Sequence, residues 1–476
     1  MSDKKILLTA AALMLASVID AKIVLPSVIS DGMVLQRESS VNIWGMAKPS
    51  DKVSVSVSWS GEIIESQTLR DGSWSVSVRT PSAGGPFTMT VKDSESEVEV
   101  RDIMSGEVWI CAGQSNMSMP VKGFQSQPCT HPLETAVASG SCPQIRMFTA
   151  KQTIAEQPEF DVSGSWLQSS PGNTLSFSAV GFYYALNLSK ALGGIPVGMI
   201  NISWGGSNAE AWSSRNLLEK YPSISLEFDR NSKSPQRIPT ALHNGMFRPV
   251  SRFGVRGVIW YQGEHNRNNR DIYASLFPAM VNEWRQIMGQ GQVPFYYVQI
   301  APYEYSDPDA VDAPLMMELQ WRMQYLIPES GVVPTLDLGE EKYIHYSDKA
   351  SVGLRLAVMA LSRTYGMKGL PSGAAYYRSM EIIDGKIVLT FDNAAAGLVK
   401  RDYETKNPFE ICGDDGKYVP AKFDIHPKYK DKVMVWADGI SNPSGIRYAF
   451  RNWSEATLFD VYGIPVPPFR TDNIKY

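Results

Sequence analysis

The hydrophobic period of this chain changes twice, and that constrains the fold more than any single motif. From about Lys22 to Asp102 the text alternates with period two, in "VNIWG", "VSVSVSW", "SWSVSV" and "FTMTV", with turn residues between. That is the pattern of a small β-sandwich. From Gly106 to about Gly366 apolar strands alternate with helical segments. "SAVGFYYALNLSKALGG" runs into "PVGMINIS", "GVIWYQ" precedes a helix ending near "VNEWRQIMG", and "VVPTLDLG" precedes "SVGLRLAVMALSRTYG". Such alternation calls for a parallel sheet with helices on its faces, where ligands bind beyond the carboxyl ends of the strands. After about Met367 short strands return, in "GKIVLTF", "KVMVWAD" and "IRYAFRNW", as a second β-rich element open to packing against the first. The predicted units are a leader at 1–21, a β-sandwich domain at 22–103, an α/β domain at 104–366 and a β-rich domain at 367–476.

With 476 residues, 43% of them hydrophobic and 20% charged, the chain can bury a large core across more than one domain. A net charge of -4 and the lack of a basic cluster argue against nucleic acid as a partner. At the amino terminus Lys4 and Lys5 precede an apolar run from Ile6 to about Val18 and then Ala21, the order of a secretory signal. The run is shorter than the roughly 18 apolar residues a membrane span needs, so the expected location is periplasmic or secreted, with no membrane attachment after cleavage. The four cysteines suit neither a disulfide scaffold nor zinc, although Cys129 and Cys142 flank a loop-like segment and are open to pairing in an oxidising compartment.

Three strand ends carry polar groups that belong together chemically. "GEVWICAGQSNMSM" reads as a buried strand that turns at Gly113 and hands directly to Ser115, a hydroxyl held at the sheet edge as a nucleophile. "INIS" runs into "WGGSNAEAW", where Gly205 and Gly206 leave backbone N–H groups unshielded for an oxyanion. "GVIWYQ" ends in "QGEHN", which places the Gln262 amide and the Glu264 carboxylate at the same edge. Together they form an acyl-transfer constellation lacking only a base. Of five histidines, His345 falls in the loop after "VVPTLDLG", again at that edge. Trp204, Trp212 and Trp260 lie beside these loops, where core packing accounts for them better than sugar stacking.

These residues carry a family resemblance. "VLPSVISDGMVLQRESSVNIWG", "GEVWICAGQSNMSM", "SWGGSNAEAW", "LHNGM", "WYQGEHN", "IHYSDKASVGLRLA", "GIRYAFRNW" and "GIPVPPFRTD" resemble, in order, successive blocks of the sialate O-acetylesterase family, a carbohydrate-esterase branch of the SGNH hydrolases. The resemblance implies a flavodoxin-like three-layer α/β/α domain with accessory β-sandwich elements, and cofactor- and metal-independent removal of acetyl groups from sugar hydroxyls. It also implies the roles: Ser115 as nucleophile, His345 as base, and Gly206 and Gln262 in the oxyanion hole, with Gly205 in the same glycine block. By position, Glu264 is open to contacting substrate or, in the favoured reading, to holding the nucleophile loop, and Asn116 beside Ser115 is a candidate for support. The expected substrate is an O-acetylated sugar, sialic acid or another glycan such as acetylated xylan.

One departure stands out. The family pattern Asp-Ile-His-Pro reads Tyr343-Ile344-His345-Tyr346 here, so the carboxylate that orients the base is missing. Asp337, Glu340, Glu341 or a backbone carbonyl are the replacements open to it. An intact "DIHP" occurs at Asp424–Pro427, but without the "DKASVGLRLA" text that follows His345. The absent partner also leaves open a carbohydrate-binding protein that has lost its activity.

Overall fold

A single 17-residue strand, β1 (Glu97–Gly113), joins the first two units. Its first half pairs with Gly84–Lys92 of an antiparallel amino-terminal sheet, and its second half is the middle strand of a parallel sheet. The boundary expected between 103 and 104 therefore falls inside one continuous strand. This computed structural model describes residues 22–401 and 408–472. The expected leader at 1–21 lies outside the described residues.

The fold is mixed α/β around a large central sheet, as the change of period requires. Besides β1 its parallel strands are β2 (Ile145–Thr149), β3 (Val197–Asn201), β4 (Gly257–Tyr261), β5 (Phe295–Val298) and β6 (Ser330–Val333). They lie in the order β6-β5-β4-β1-β3-β2, with the short strand Trp166–Gln168 antiparallel at the edge. The chain goes to one side of β1 for β2 and β3 and to the other for β4, β5 and β6. That reversal opens a crevice at the carboxyl ends of β1, β3 and β4.

Strand residues alternate between two cores, because successive side chains point to opposite faces. On one face Val108, Ile110 and Ala112 of β1 pack with apolar residues of the helices α3 (Arg270–Met288) and α4 (Asp312–Met323). On the other, Trp109 and Cys111 pack with α2 (Ala179–Ala191) and α5 (Lys349–Arg363). The first core continues into the amino-terminal strands through Val41, Ile43, Val53 and Val55, so that element shares its hydrophobic interior with the sheet.

The carboxyl-terminal strands have a core of their own. Their polar anchors reach the central unit: Asn452 Oδ1 accepts from Ala313 N at 2.8 Å, and Arg470 pairs with Glu318 at 3.1 Å. The packing against the amino-terminal element that the sequence left open is replaced by docking on α4. The Cys129–Cys142 pairing is likewise not formed. All four cysteines are buried free thiols, with Cys129 Sγ turned to Pro120 O and Cys142 Sγ to Ala138 O.

Candidate active site

Gly113 ends β1 at φ +132°, and a Cβ there would lie 2.1 Å from Tyr261 O on the neighbouring β4. Only glycine fits a backbone that must turn this close to the next strand. Gln114 N then bonds Tyr261 O at 2.8 Å, and the chain enters the one-turn helix α1 (Ser115–Ser118). Ser115 emerges at the crevice between β1, β3 and β4.

The residues on either side of Ser115 hold the other strand-end loops. Gln114 Oε1 accepts from Gly263 N at 3.3 Å and His265 N at 3.4 Å. Asn116 Nδ2 donates to Glu264 Oε1 at 2.6 Å and to Ile344 O at 3.2 Å. Asn116 Oδ1 in turn accepts from Lys349 Nζ at 2.8 Å, and the same ammonium donates to Tyr346 O at 2.8 Å. Buried polar groups are tolerated when each is bonded, and this chain of bonds locks the serine turn to the Glu264 loop and the His345 loop.

Lys349 is 1% exposed and sits 3.4 Å from the centroid of Tyr346. Burial pushes its pKa down to about 7. Burial also raises that of Glu264, whose Oε2 has no partner among the described residues. Lys349→Met strands Asn116 Oδ1 and Tyr346 O in the interior. The expected cost is about 1–3 kcal/mol for each orphaned acceptor, read as a lower denaturation midpoint.

The glycine loop lies against the serine: a Cβ on Gly205 would come 3.3 Å from Ser115 Cβ. Backbone N–H groups of Ser115, Gly205 and Gly206 have no acceptor among the described residues. Unspent donors beside a hydroxyl are what an oxyanion hole requires. Gly206 adopts φ +73°, and its carbonyl accepts from Arg237 Nε at 3.1 Å. Arg237 is exposed and makes no ion pair among the described residues, which leaves an uncompensated guanidinium at the rim of this loop.

Gln262 is placed at the sheet edge but turned inward. It is fully buried, and its Nε2 donates to Asn266 Oδ1 at 2.6 Å and to Ser207 O at 3.3 Å. Both amide hydrogens are thus occupied, and the side chain braces the two loops in place of presenting a donor. The reason is local: Asn266 Oδ1 is held in position by Ala209 N at 3.0 Å, which gives the amide a fixed acceptor.

His345 stands in the loop before α5. Its N–H donates to Gln127 Oε1 at 3.1 Å and its ring meets Phe124 edge-on at 4.9 Å. Nδ1 is buried with no partner among the described residues, so Nε2 is the accessible ring nitrogen. Burial first, and the Lys349 charge second, push the His345 pKa down to about 4. Tyr343, where the family has aspartate, is 47% exposed. Asp337 is spent on Arg355 through bonds of 2.8 and 2.6 Å, and Glu340 takes the Ser347 N–H at 2.8 Å. Glu341 is exposed. Among the described residues, no carboxylate or carbonyl bonds Nδ1 to orient the ring. The bond between Asn116 and Ile344 O holds the two loops side by side, while Ser115 Oγ makes no hydrogen bond among the described residues. Catalytic hydrogen bonds commonly tighten only on substrate binding.

The other histidines fall elsewhere or are bystanders. His426 of the "DIHP" stretch caps its own turn in the carboxyl-terminal element, accepting from Lys428 N at 3.1 Å. His131 is exposed beside Glu134, and His243 is buried next to Asn244. His265 is near the crevice, where burial and then Arg237 and Arg267 lower its pKa. Trp212 and Trp260 are fully buried core residues, and Trp204 is partly buried against the same core. Among the described residues, no three His, Cys, Asp or Glu side chains are grouped as metal ligands would be.

A serine turn, bare N–H groups and an accessible imidazole nitrogen at one edge of a parallel α/β sheet define a hydrolase acting on carboxylic esters. Residues 105–362 match the family of carbohydrate esterases described as sialic acid-specific acetylesterases. Rat sialate O-acetylesterase is 28% identical over 518 residues, covering 93% of each chain, and the human protein is 28% identical over 490 residues, covering 93% of this chain and 91% of its own. The crystal structure of a carbohydrate acetylesterase from Xanthomonas citri superposes with a TM-score of 0.85 at 31% identity, covering 95% of this chain and 100% of that one. This chain belongs to the sialic acid-specific acetylesterase family, the family the sequence blocks resemble, and it is a carbohydrate O-acetylesterase.

Proposed function

We propose that the enzyme is a sialate O-acetylesterase, exported to the periplasm or beyond, and built as an SGNH-type three-layer α/β/α unit with accessory β-sandwich elements. Arg237 carries the choice of sugar. An exposed guanidinium without a carboxylate, fixed at 3.1 Å to the carbonyl of Gly206, suits a substrate that bears a carboxylate of its own besides the acetylated hydroxyl. Sialic acid has that carboxylate, and acetylated xylose units do not.

In the reaction, His345 Nε2 takes the proton of Ser115 Oγ as that oxygen attacks the acetyl carbonyl carbon. The N–H groups of Ser115 and Gly206, with Gly205 beside them, receive the oxyanion. Collapse of the adduct breaks the bond to the sugar oxygen, which leaves with the proton from His345. Water then attacks the acetyl-serine, giving a proton to His345, and collapse of this second adduct breaks the bond to Ser115 Oγ, which takes that proton back from His345 as acetic acid departs. Glu264 and Asn116 hold the turn, and Gln262 braces the loops.

The test is the preference between sugars. Arg237→Gln removes a charge-assisted contact, and such contacts contribute about 1.5–3 kcal/mol. The ratio of kcat/KM for O-acetylated sialic acid to that for acetylated xylan should fall by about 10- to 100-fold, mostly through KM. An unchanged ratio would remove the argument for sialic acid and favour a polysaccharide esterase.

A further inference from the structure

The face of α4 turned from the sheet lines a second cavity. Gln320 of this helix bonds Gln262 O at 3.0 Å, on the side of the catalytic loops. On the other side Glu318, Trp321, Arg322 and the following Tyr325 border a cleft of about 300 Å³. The strand Tyr376–Ile383 closes it with Tyr376, Tyr377 and Arg378, and the carboxyl-terminal segment with Pro467, Pro468, Phe469 and Arg470. The volume stands at the lower end of the range for small-molecule sites, roughly 300–1,000 Å³.

The chemistry of the lining is specific. Trp321 and Tyr376 meet at 5.5 Å with a tilt of 50°, and Tyr325 and Tyr376 at 6.2 Å with a tilt of 57°. Tilted rings leave faces uncovered, and Tyr325 is 61% exposed. Arg322 and Arg378 have side chains 68% and 55% exposed, and each spends one guanidinium nitrogen on its carboxylate, Glu318 and Asp392. Arg470 is held between Glu318 and Asp472. The three guanidinium groups of the lining are paired with Glu318, Asp392 and Asp472, and those of Arg322 and Arg378 remain largely exposed, with further N–H donors to offer. Aromatic faces suit the C–H face of a sugar ring, and planar forks suit a carboxylate or a pair of neighbouring hydroxyls.

We infer that this cleft is a second glycan site, which holds a carboxylate-bearing sugar residue away from the residue being deacetylated. The inference rests on the proposed preference for sialylated substrates. A site here would anchor a multiply sialylated chain without taking part in ester cleavage, since α4 separates it from Ser115.

The experiment is isothermal titration of the full-length enzyme with 3′-sialyllactose, which carries no acetyl ester, and with lactose. The wild type is compared with a Tyr325→Ala/Arg378→Gln double variant, both positions being at the surface. We expect sialyllactose to bind the wild type more tightly than lactose, and the variant to weaken that binding on the order of ten-fold or more, one charge-assisted contact. Hydrolysis of 4-nitrophenyl acetate should stay the same in both. No sialyllactose binding to the wild type, equal binding of lactose, or equal binding to the variant would overturn the inference. Loss of hydrolysis in the wild type itself would instead indict the esterase mechanism.

Discussion

Ser115→Ala should cut acetate release on the order of 10⁵-fold while leaving the fold intact. The nucleophile and its base act as a unit, and removing either member of such a unit has cost about as much as removing all of it. The substitution deletes one oxygen from a residue whose hydroxyl makes no hydrogen bond among the described residues, so no packing or bonding is lost with it. The Ser115 N–H, bare in the wild type, remains in the variant, and the remaining activity should reflect the oxyanion hole alone. Normal thermal unfolding with lost turnover is the expected pair of results. Turnover within ten-fold of wild type would mean that the hydroxyl at this strand end is not the nucleophile.

His345→Ala should be nearly as damaging, again on the order of 10⁵-fold, and the double variant with Ser115→Ala should be no worse than either single one. His265→Ala serves as the control from the neighbouring loop and should stay within ten-fold. The pH profile adds a reading that a structural role would not produce. His345 works as a base only when neutral, and burial with the nearby Lys349 charge lowers its pKa from 6.5 to about 4. The neutral form therefore persists into acid, so kcat/KM should hold down to about pH 5 and fall as pH drops through about 4. An acid limb near 6.5 would mean a ring open to solvent, and one above 6.5 a carboxylate beside it, contrary to the proposed dyad.

The parts of this site that were legible in the sequence are those that local pattern encodes. Strand, glycine and serine follow one another in the text, so the turn at Gly113 and the exposure of Ser115 could be read directly. The change from period two to alternating strand and helix likewise placed the glycine loop and the His345 loop at one sheet edge. What could not be read depends on distance. Nothing in "SDKASVG" distinguishes Lys349 from a solvated lysine, because its burial comes from the serine turn and the Glu264 loop closing over it. Tyr343 was visible as a departure, but which group would replace the aspartate turned on where Asp337 and Glu340 fall. Asp337 is claimed by Arg355, a contact across 18 residues. Arg237 lies 31 residues beyond Gly206, in a one-turn 3-10 segment that no strand end announces. Gln262 reads as a donor in sequence, and only the position of Asn266 reveals that its hydrogens are occupied. The boundary expected between 103 and 104 lies inside β1, because that strand serves two sheets at once.

In the proposed reaction Ser115 and His345 remove acetyl groups from a sialic acid. The most direct measurement is acetate release from 9-O-acetylated sialic acid and from acetylated xylan, by the wild type and by Ser115→Ala. Acetate is expected from the sialic acid in preference to xylan, with its loss in the variant. Acetate released at the same rate by Ser115→Ala, or none released by a folded wild type that still binds the sugar, would contradict it.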